Sequence, residues 1–299
     1  MGACLTSLHV QTYPKHLFEV LLVDNRSGDG TCQYVLTAFP WARLICCARR
    51  GSGHARNAGV EEAIGSLILS TDADCVVAPD WIERLVTLFQ TLPADVAAVG
   101  GRILPMSTKT AVERYAKSWV QQPDASREDA PRYAATPNAA FRSSCLKSVG
   151  AYDGTLGFDD ADLGIRLGAA GFQIRYTDAA TVYHRNPIGI VELYRHKVKY
   201  GKHNFDLSRK HPALLGWPTG GKVLRALLKA TIRRVLGDIC VKQPLALVSR
   251  LEGGTRMWPL IDAVIAISSY RGFSKAASLA RAAKCLAQAK PGGQRTGNK

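Results

Sequence analysis

From residue 18 onward, short apolar runs alternate with longer stretches of helical period, the pattern of buried strands and covering helices in an α/β sheet. Phe18–Val23 reads as a buried strand that runs into the polar loop Asp24-Asn25-Arg26-Ser27-Gly28-Asp29-Gly30-Thr31. Ala42–Cys47 reads as a second strand, followed by Gly51-Ser52-Gly53 and a helix over His54–Ile64. Leu67–Ser70 predicts a third strand, which stops at Thr71-Asp72-Ala73-Asp74. Pro79 is placed to open a helix over Asp80–Thr91 with Ile82, Leu85, Val86 and Phe89 on its apolar face. Val96–Leu104 predicts another strand, interrupted at Gly100-Gly101.

Beyond residue 105 the pattern loosens. A helix over Ala111–Val120 precedes a loop over Gln121–Pro131 rich in proline and charge. Helices over Ser144–Val149 and Asp159–Ala170 follow, then strands near Phe172–Tyr176 and Thr181–His184. From Ile188 strand signals end, and the remainder reads as helical, with breaks at Pro212, Gly216–Gly221, Pro244, Gly253-Gly254 and Pro259. Three regions result: an α/β domain over 1–205, a helical region over 206–290 and a disordered tail over 291–299. No internal repeat is visible.

Composition sharpens this division. With 46% hydrophobic and 21% charged residues the 299-residue chain is globular, which excludes wholesale disorder and a collagen-like repeat. Its net charge of +15 is unevenly placed. Residues 1–184 carry 17 Lys and Arg against 19 Asp and Glu, whereas residues 185–299 carry 22 against 5. Within the basic region, Lys222, Arg225, Lys229 and Arg233 form one stripe of a helix over Lys222–Leu236, opposite Leu224, Leu227, Leu228, Ile232 and Val235. Such a helix suits an anionic membrane surface, with Trp258, Tyr270 and Phe273 as interfacial anchors; it equally suits an ordinary helix with a solvated basic face. A nucleic-acid partner is not expected, because no recognised module is present and stacking aromatics are sparse there.

Eight cysteines show no paired spacing, which reads as free thiols in a reducing compartment. Met1–Val10 lacks the basic start and apolar run of a signal peptide, and the best apolar stretch, Trp258–Ser269, is short and contains Asp262. These features predict a cytoplasmic protein, peripheral on the cytosolic face of a membrane at most.

Three places carry candidate chemistry. Asp72 and Asp74 end an apolar strand with one small residue between them, where open α/β sheets present ligand groups, and both carboxylates can turn to one hard divalent cation. Asp159, Asp160 and Asp162 crowd the start of a helix. Capping and the helix dipole explain one of them; like-charge crowding suits another to act as a general base. His184 ends a strand and would complete a metal shell if the fold brings it to Asp72 and Asp74.

The segments Asp24–Thr31, Ala55-Arg56-Asn57-Ala58-Gly59, Thr71–Asp74, Gly157–Leu167 and Val182-Tyr183-His184 resemble, in order, the motifs of glycosyltransferase family 2 over about residues 4–205. The resemblance implies an α/β fold of GT-A type, a Rossmann-like mixed sheet flanked by helices. It implies an enzyme that moves a sugar from a nucleoside-diphosphate sugar to an acceptor hydroxyl, with inversion, on a glycan or lipid-linked acceptor. By the same resemblance Asp24 and Asn25 would contact the nucleoside, Arg56 and Asn57 would line the nucleotide pocket, and Asn138 would sit near the sugar. Asp72 and Asp74 look like the DxD motif that holds Mg²⁺ or Mn²⁺ under the diphosphate, His184 resembles the additional metal ligand of some members, and Asp160 occupies the place of the base.

Two departures stand out. Asp159 stands where the family usually has Glu. The chain also opens on what looks like the helix after the family's usual first strand, so a fold without that strand is expected. The alternative reading is therefore a truncated, inactive relative that binds nucleotide-sugars or glycans.

Overall fold

The computed structural model describes residues 1–116, 133–215, 265 and 267–280. The predicted helix over Lys222–Leu236, the loop Gln121–Pro131, the end of the helix predicted over Ala111–Val120, Trp258 and the tail from Pro291 lie outside these residues. Among those described, Met1–Ile190 form one compact unit and Val191 onward a second, dividing ahead of the boundary expected at 205.

The first unit opens on helix α1 (Gly2–His9), then β1 (Leu21–Asp24), α2 (Thr31–Ala38), β2 (Arg43–Cys46), α3 (Ser52–Glu62), β3 (Leu67–Ser70) and β4 (Cys75–Val77). It continues with α4 (Trp81–Thr91), β5 (Val96–Pro105), α5 (Ala111–Ala116), β6 (Ala139–Arg142), α6 (Ser143–Ser148), α7 (Asp159–Ala169) and β7 (Gln173–His184). Five strands form a mixed sheet in the order β3-β6-β5-β7-β4, with β5 and β7 parallel and β6 antiparallel to both its neighbours. β1 and β2 pair in parallel as a sheet of their own.

Burial follows the apolar pattern. α4 turns Trp81, Ile82, Leu85 and Phe89 into a core shared with Val77, Val96, Val99 and Val182. Its last carbonyls, which no helical amide can reach, accept hydrogen bonds from Arg142, at 3.2 Å for Phe89 and 3.1 Å for Leu92. α1 contributes to two cores: Cys4 and Leu8 join the cluster under α4, while Leu5 packs with Val35 and Ala42.

The strand boundaries differ from expectation where propensity is weak. β1 starts at Leu21, three residues later than the apolar run, because Lys15–Leu17 form a 3₁₀ turn that leads the chain in. β4 has only three residues and β6, Ala139-Ala140-Phe141-Arg142, has no β-branched residue, so neither is read from the sequence, and their neighbours impose the extended form. The two strands expected before His184 are one strand, β7, whose register against β5 jumps from Gly101↔Thr177 to Arg102↔Thr181. The expected break at Gly100-Gly101 is this irregularity. A Cβ at Gly101 would collide with the Asn138 side chain, so that close approach requires glycine.

The second unit contains α8 (Ile190–Lys210), α9 (Pro212–Leu215) and a helix over 267–280. Gly201 and Gly272 let α8 and that helix meet backbone to backbone, since a Cβ on either would strike the other's carbonyl oxygens. Phe205 and Phe273 meet edge to face beside the crossing, with centroids 5.0 Å apart. Among the described residues no helix is long and apolar enough to cross a membrane.

Candidate active site

The turn after β3 carries Asp72 and Asp74, whose side chains are 33% and 51% exposed. It is a tight turn, closed by the Cys75 amide donating to the Asp72 carbonyl at 2.9 Å. β4 then pairs antiparallel with β7, placing Cys75 opposite His184. This pairing brings His184 Nε2 to 3.9 Å from Asp74 Oδ1, and the Arg185 amide donates to the Asp74 carbonyl. The expected meeting of His184 with the Asp72–Asp74 turn is therefore present.

The second acidic group begins α7, and its three members have three fates. Asp162, fully buried, accepts from Arg166 Nε at 2.8 Å, and Arg166 in turn donates to the carbonyls of Val149 and Ala151. That acid is structural: it orients the arginine that ties the loop before α7. Asp159, also buried, accepts two hydrogen bonds from Arg56 Nη1 at 2.9 and 2.6 Å. Burial raises its proton affinity against the opposing charge of Arg56. Asp160, half-buried, accepts from the Ala161 amide at 2.8 Å and the Thr136 amide at 3.4 Å, but from no cationic side chain among the described hydrogen bonds. Burial, reinforced by the neighbouring Asp159 charge, pushes its pKa up to about 6.

Arg56 is the hub that joins the two acidic groups. It projects from the first turns of α3, and its other nitrogen, Nη2, reaches Asp72 Oδ1 at 3.3 Å and Thr136 Oγ1 at 3.0 Å. Its guanidinium also lies over the Tyr152 ring, 5.6 Å from the centroid. Burial opposes its charge, but the carboxylates of Asp159 and Asp72 hold its pKa above the usual arginine range. Close packing fixes this geometry: a Cβ at Gly53 would fall 2.7 Å from the Asp153 carbonyl oxygen and 3.0 Å from Asp159 Oδ2.

The remaining predicted residues are placed as follows. Asp24 ends β1 and accepts from the Ser27 amide at 3.2 Å on both oxygens; hydrogen bonding from Ser27 holds its carboxyl below the usual range. Asn25 accepts from the Gly51 amide at 2.8 Å and donates to the Arg49 carbonyl, tying the loop after β1 to the loop that opens α3. Asn57 makes a reciprocal pair with the Tyr152 backbone, at 2.8 and 2.9 Å, and so anchors the loop before α7. Asn138 is fully buried. It accepts from Trp81 Nε1 at 2.8 Å and donates to the carbonyls of Arg102 and Ala180 at 2.8 and 3.0 Å, bracketing β5 and β7.

Asp74 and His184 form a credible donor set for a divalent cation. Two ligands each about 2.1 Å from a shared ion lie between roughly 3.0 Å apart at right angles and 4.2 Å apart when opposed, and the observed 3.9 Å falls in that range. His184 Nδ1 is buried with no hydrogen-bond partner among the described residues. The Cys75 thiol belongs to the same group, all of whose ligand atoms lie within 4.8 Å of one another. Burial, with the Asp72 and Asp74 charges close by, pushes that thiol up to about 12 in the metal-free chain.

The sequence did not expose the Arg56 to Asp159 pair, which spans 103 residues, nor the place of Tyr152 under it. A buried arginine with two carboxylates in reach leaves no local spacing to read.

Comparison with known proteins agrees with this architecture. Residues 1–150 match the profile of Glycosyl transferase family 2. Glycosyltransferase AglE of Haloferax volcanii is 30% identical over 205 residues, 67% of this chain and 66% of AglE. The pre-mycofactocin glycosyltransferase of Mycobacterium tuberculosis is 29% identical over 172 residues, 54% of this chain and 36% of that protein. The chain thus spans about two-thirds of the first relative's length and about a third of the second's. The mannosyltransferase PcManGT from Pyrobaculum calidifontis, solved with GDP-mannose and Mn²⁺, superposes with a TM-score of 0.52 at 21% identity, covering 96% of this chain and 76% of its own. The mixed sheet with its covering helices is the GT-A fold. The chain belongs to glycosyl transferase family 2.

Proposed function

We propose that the chain transfers a sugar from a nucleoside-diphosphate sugar to an acceptor hydroxyl, with a divalent cation and with inversion at the anomeric carbon. One observation supports this reading: Arg56 links Asp72, on the turn that also carries Asp74, to Asp159, the buried acid beside Asp160. A cation site and a group with a pKa of about 6 are thereby held on one rigid frame.

In this reading Asp74 and His184, with Asp72 beside them, hold the cation, which when bound neutralises the charge of the departing diphosphate. The nitrogen donor of His184 favours Mn²⁺ over Mg²⁺. Asp24 and Asn25 face the nucleoside. Arg56, already next to Asp72, offers Nη2 to a diphosphate oxygen in exchange for that carboxylate. Asp160 takes the proton from the acceptor hydroxyl; its oxygen attacks the anomeric carbon as the bond to the diphosphate breaks, and displacement from the opposite face inverts the centre. Asn57 and Asn138 act in this scheme through the frame, by fixing the loop before α7 and the strands beneath the sugar.

The acceptor in this reading is a glycan or a lipid-linked saccharide at the cytosolic face of a membrane. The second unit supports that location: Arg195, Lys199, Lys202 and Arg209 are exposed along one stripe of α8, and the helix over 267–280 exposes Ile267, Arg271, Lys275 and Leu279 at successive four-residue steps. Flotation with anionic vesicles at physiological salt checks it, with the protein expected in the lipid fraction and its absence there removing the membrane partner. The activity is tested by nucleoside-diphosphate release from a panel of uridine- and guanosine-diphosphate sugars with Mn²⁺. Release that Asp72→Ala abolishes supports the enzyme, whereas donor binding without turnover favours a binding relative.

A further inference from the structure

Asn186 is 4% exposed, and among the described residues neither its amide nitrogen nor its amide oxygen has a hydrogen-bond partner. Leaving such a group buried and unpaired costs about 1–3 kcal/mol, so a folded protein keeps one only where something else satisfies it. Asn138 shows the contrast within the same chain: the same side chain, equally buried, has its acceptor and both donors filled by Trp81, Arg102 and Ala180.

The position of Asn186 points to what would satisfy it. Burial alternates through the end of β7 and beyond, with Val182 buried, Tyr183 exposed, His184 partly buried, Arg185 exposed and Asn186 buried. Asn186 and His184 therefore share a face. The segment between them is held on one side by the Arg185 amide on the Asp74 carbonyl and on the other by the Met106 amide on the His184 carbonyl, at 2.8 Å. His184, on that same face, carries a second orphaned buried atom, Nδ1, while its Nε2 faces Asp74. An amide with an unfilled donor beside an unfilled acceptor matches a ligand that offers both, as a water molecule does.

We infer that Asn186 is a positioning residue of the cation site, whose amide hydrogen-bonds a water carried by the ion between Asp74 and His184. This rests on the reading of those two residues as cation ligands. Partners of this outer kind change metal affinity by about 10–100-fold when lost.

Asn186→Leu, of the same branched shape and without polar atoms, separates this role from a structural one. Mn²⁺ alone is titrated into the wild type and the variant and followed by the electron paramagnetic resonance signal of the free ion, with thermal melting of the metal-free proteins alongside. The expected result is an unchanged or higher melting temperature without metal, because the orphaned amide is gone, together with a roughly tenfold weaker Mn²⁺ affinity. Equal Mn²⁺ affinity in the two proteins overturns the role of Asn186 and leaves the cation site standing. A wild type that takes up no Mn²⁺ overturns the cation site and this inference with it. Should the leucine variant fail to fold, Asn186→Ala is measured in the same way, with the same two outcomes deciding.

Discussion

The acids after β3 and the acids at the start of α7 have the same chemistry in opposite settings. Asp72 and Asp74 stand a third to a half exposed on a tight turn, with Arg56 at one and His184 at the other. Asp159 and Asp162 are buried, and each is neutralised by an arginine at 2.6–2.8 Å. Asp160 lies between these two, with no arginine in hydrogen-bonding range among the described residues and its proton affinity raised. Exposure leaves the first group able to take an external cation. Burial obliges the second to find internal ones, and the acid left over is the one we propose as the proton acceptor.

The largest test of this division is Asp160→Asn. Transfer is expected to fall by roughly 10²–10⁴, the usual range for a lost general base, with Mn²⁺ binding intact. Retained turnover would remove the base assignment. Next in size is Arg56→Ala, which strands Asp159 in a buried site and is expected to lower stability by about 3–5 kcal/mol in denaturant unfolding. The double variant Arg56→Met with Asp159→Leu should recover most of that loss, and failure to recover would show that the arginine acts through packing and not through the pair.

The pH dependence sharpens the comparison further. A general base with a pKa of about 6 gives kcat/KM an acid limb near pH 6, and Asp159→Asn should move that limb lower, because the neighbouring charge helps raise it. For stability the sign is opposite. Asp160 binds its proton more tightly in the folded chain than in the unfolded one, so its contribution is favourable below the unfolded value near 3.8 and is lost as pH rises through about 6. Asp160→Asn should therefore raise the melting temperature most above pH 6, and a gain confined to acid pH would contradict the assignment. The smallest effect belongs to the exposed group: Asp74→Asn should change stability by no more than about 0.5 kcal/mol while Mn²⁺ binding is lost.

The exposed group was far more legible in the sequence than the buried one. Leu67–Ser70 is an apolar run ending in acids, and the strand appears with the predicted bounds. The junction of His184 with Asp74 needed β4, three residues with no readable pattern, to pair with β7. At α7 the sequence showed three acids where capping accounts for one. It could not divide their roles, because Arg56 reaches Asp159 from 103 residues away; the Arg166 to Asp162 pair, four residues apart on α7, is the local part of the pattern. Asn138 and Asn57 illustrate the limit from the other side. An asparagine beside a predicted site reads as a ligand contact until its hydrogen bonds to Trp81 or to the Tyr152 backbone are seen.

The central claim is that exposed acids hold the cation while Asp160 moves the proton. It is tested most directly by measuring nucleoside-diphosphate release from the donor panel by wild type, Asp74→Asn and Asp160→Asn, each with Mn²⁺ and with chelator. The account predicts metal-dependent release by the wild type, loss in Asp74→Asn with loss of Mn²⁺ binding, and loss in Asp160→Asn with Mn²⁺ binding retained. Release by the wild type that is equal in chelator, or that survives in both variants, would contradict it.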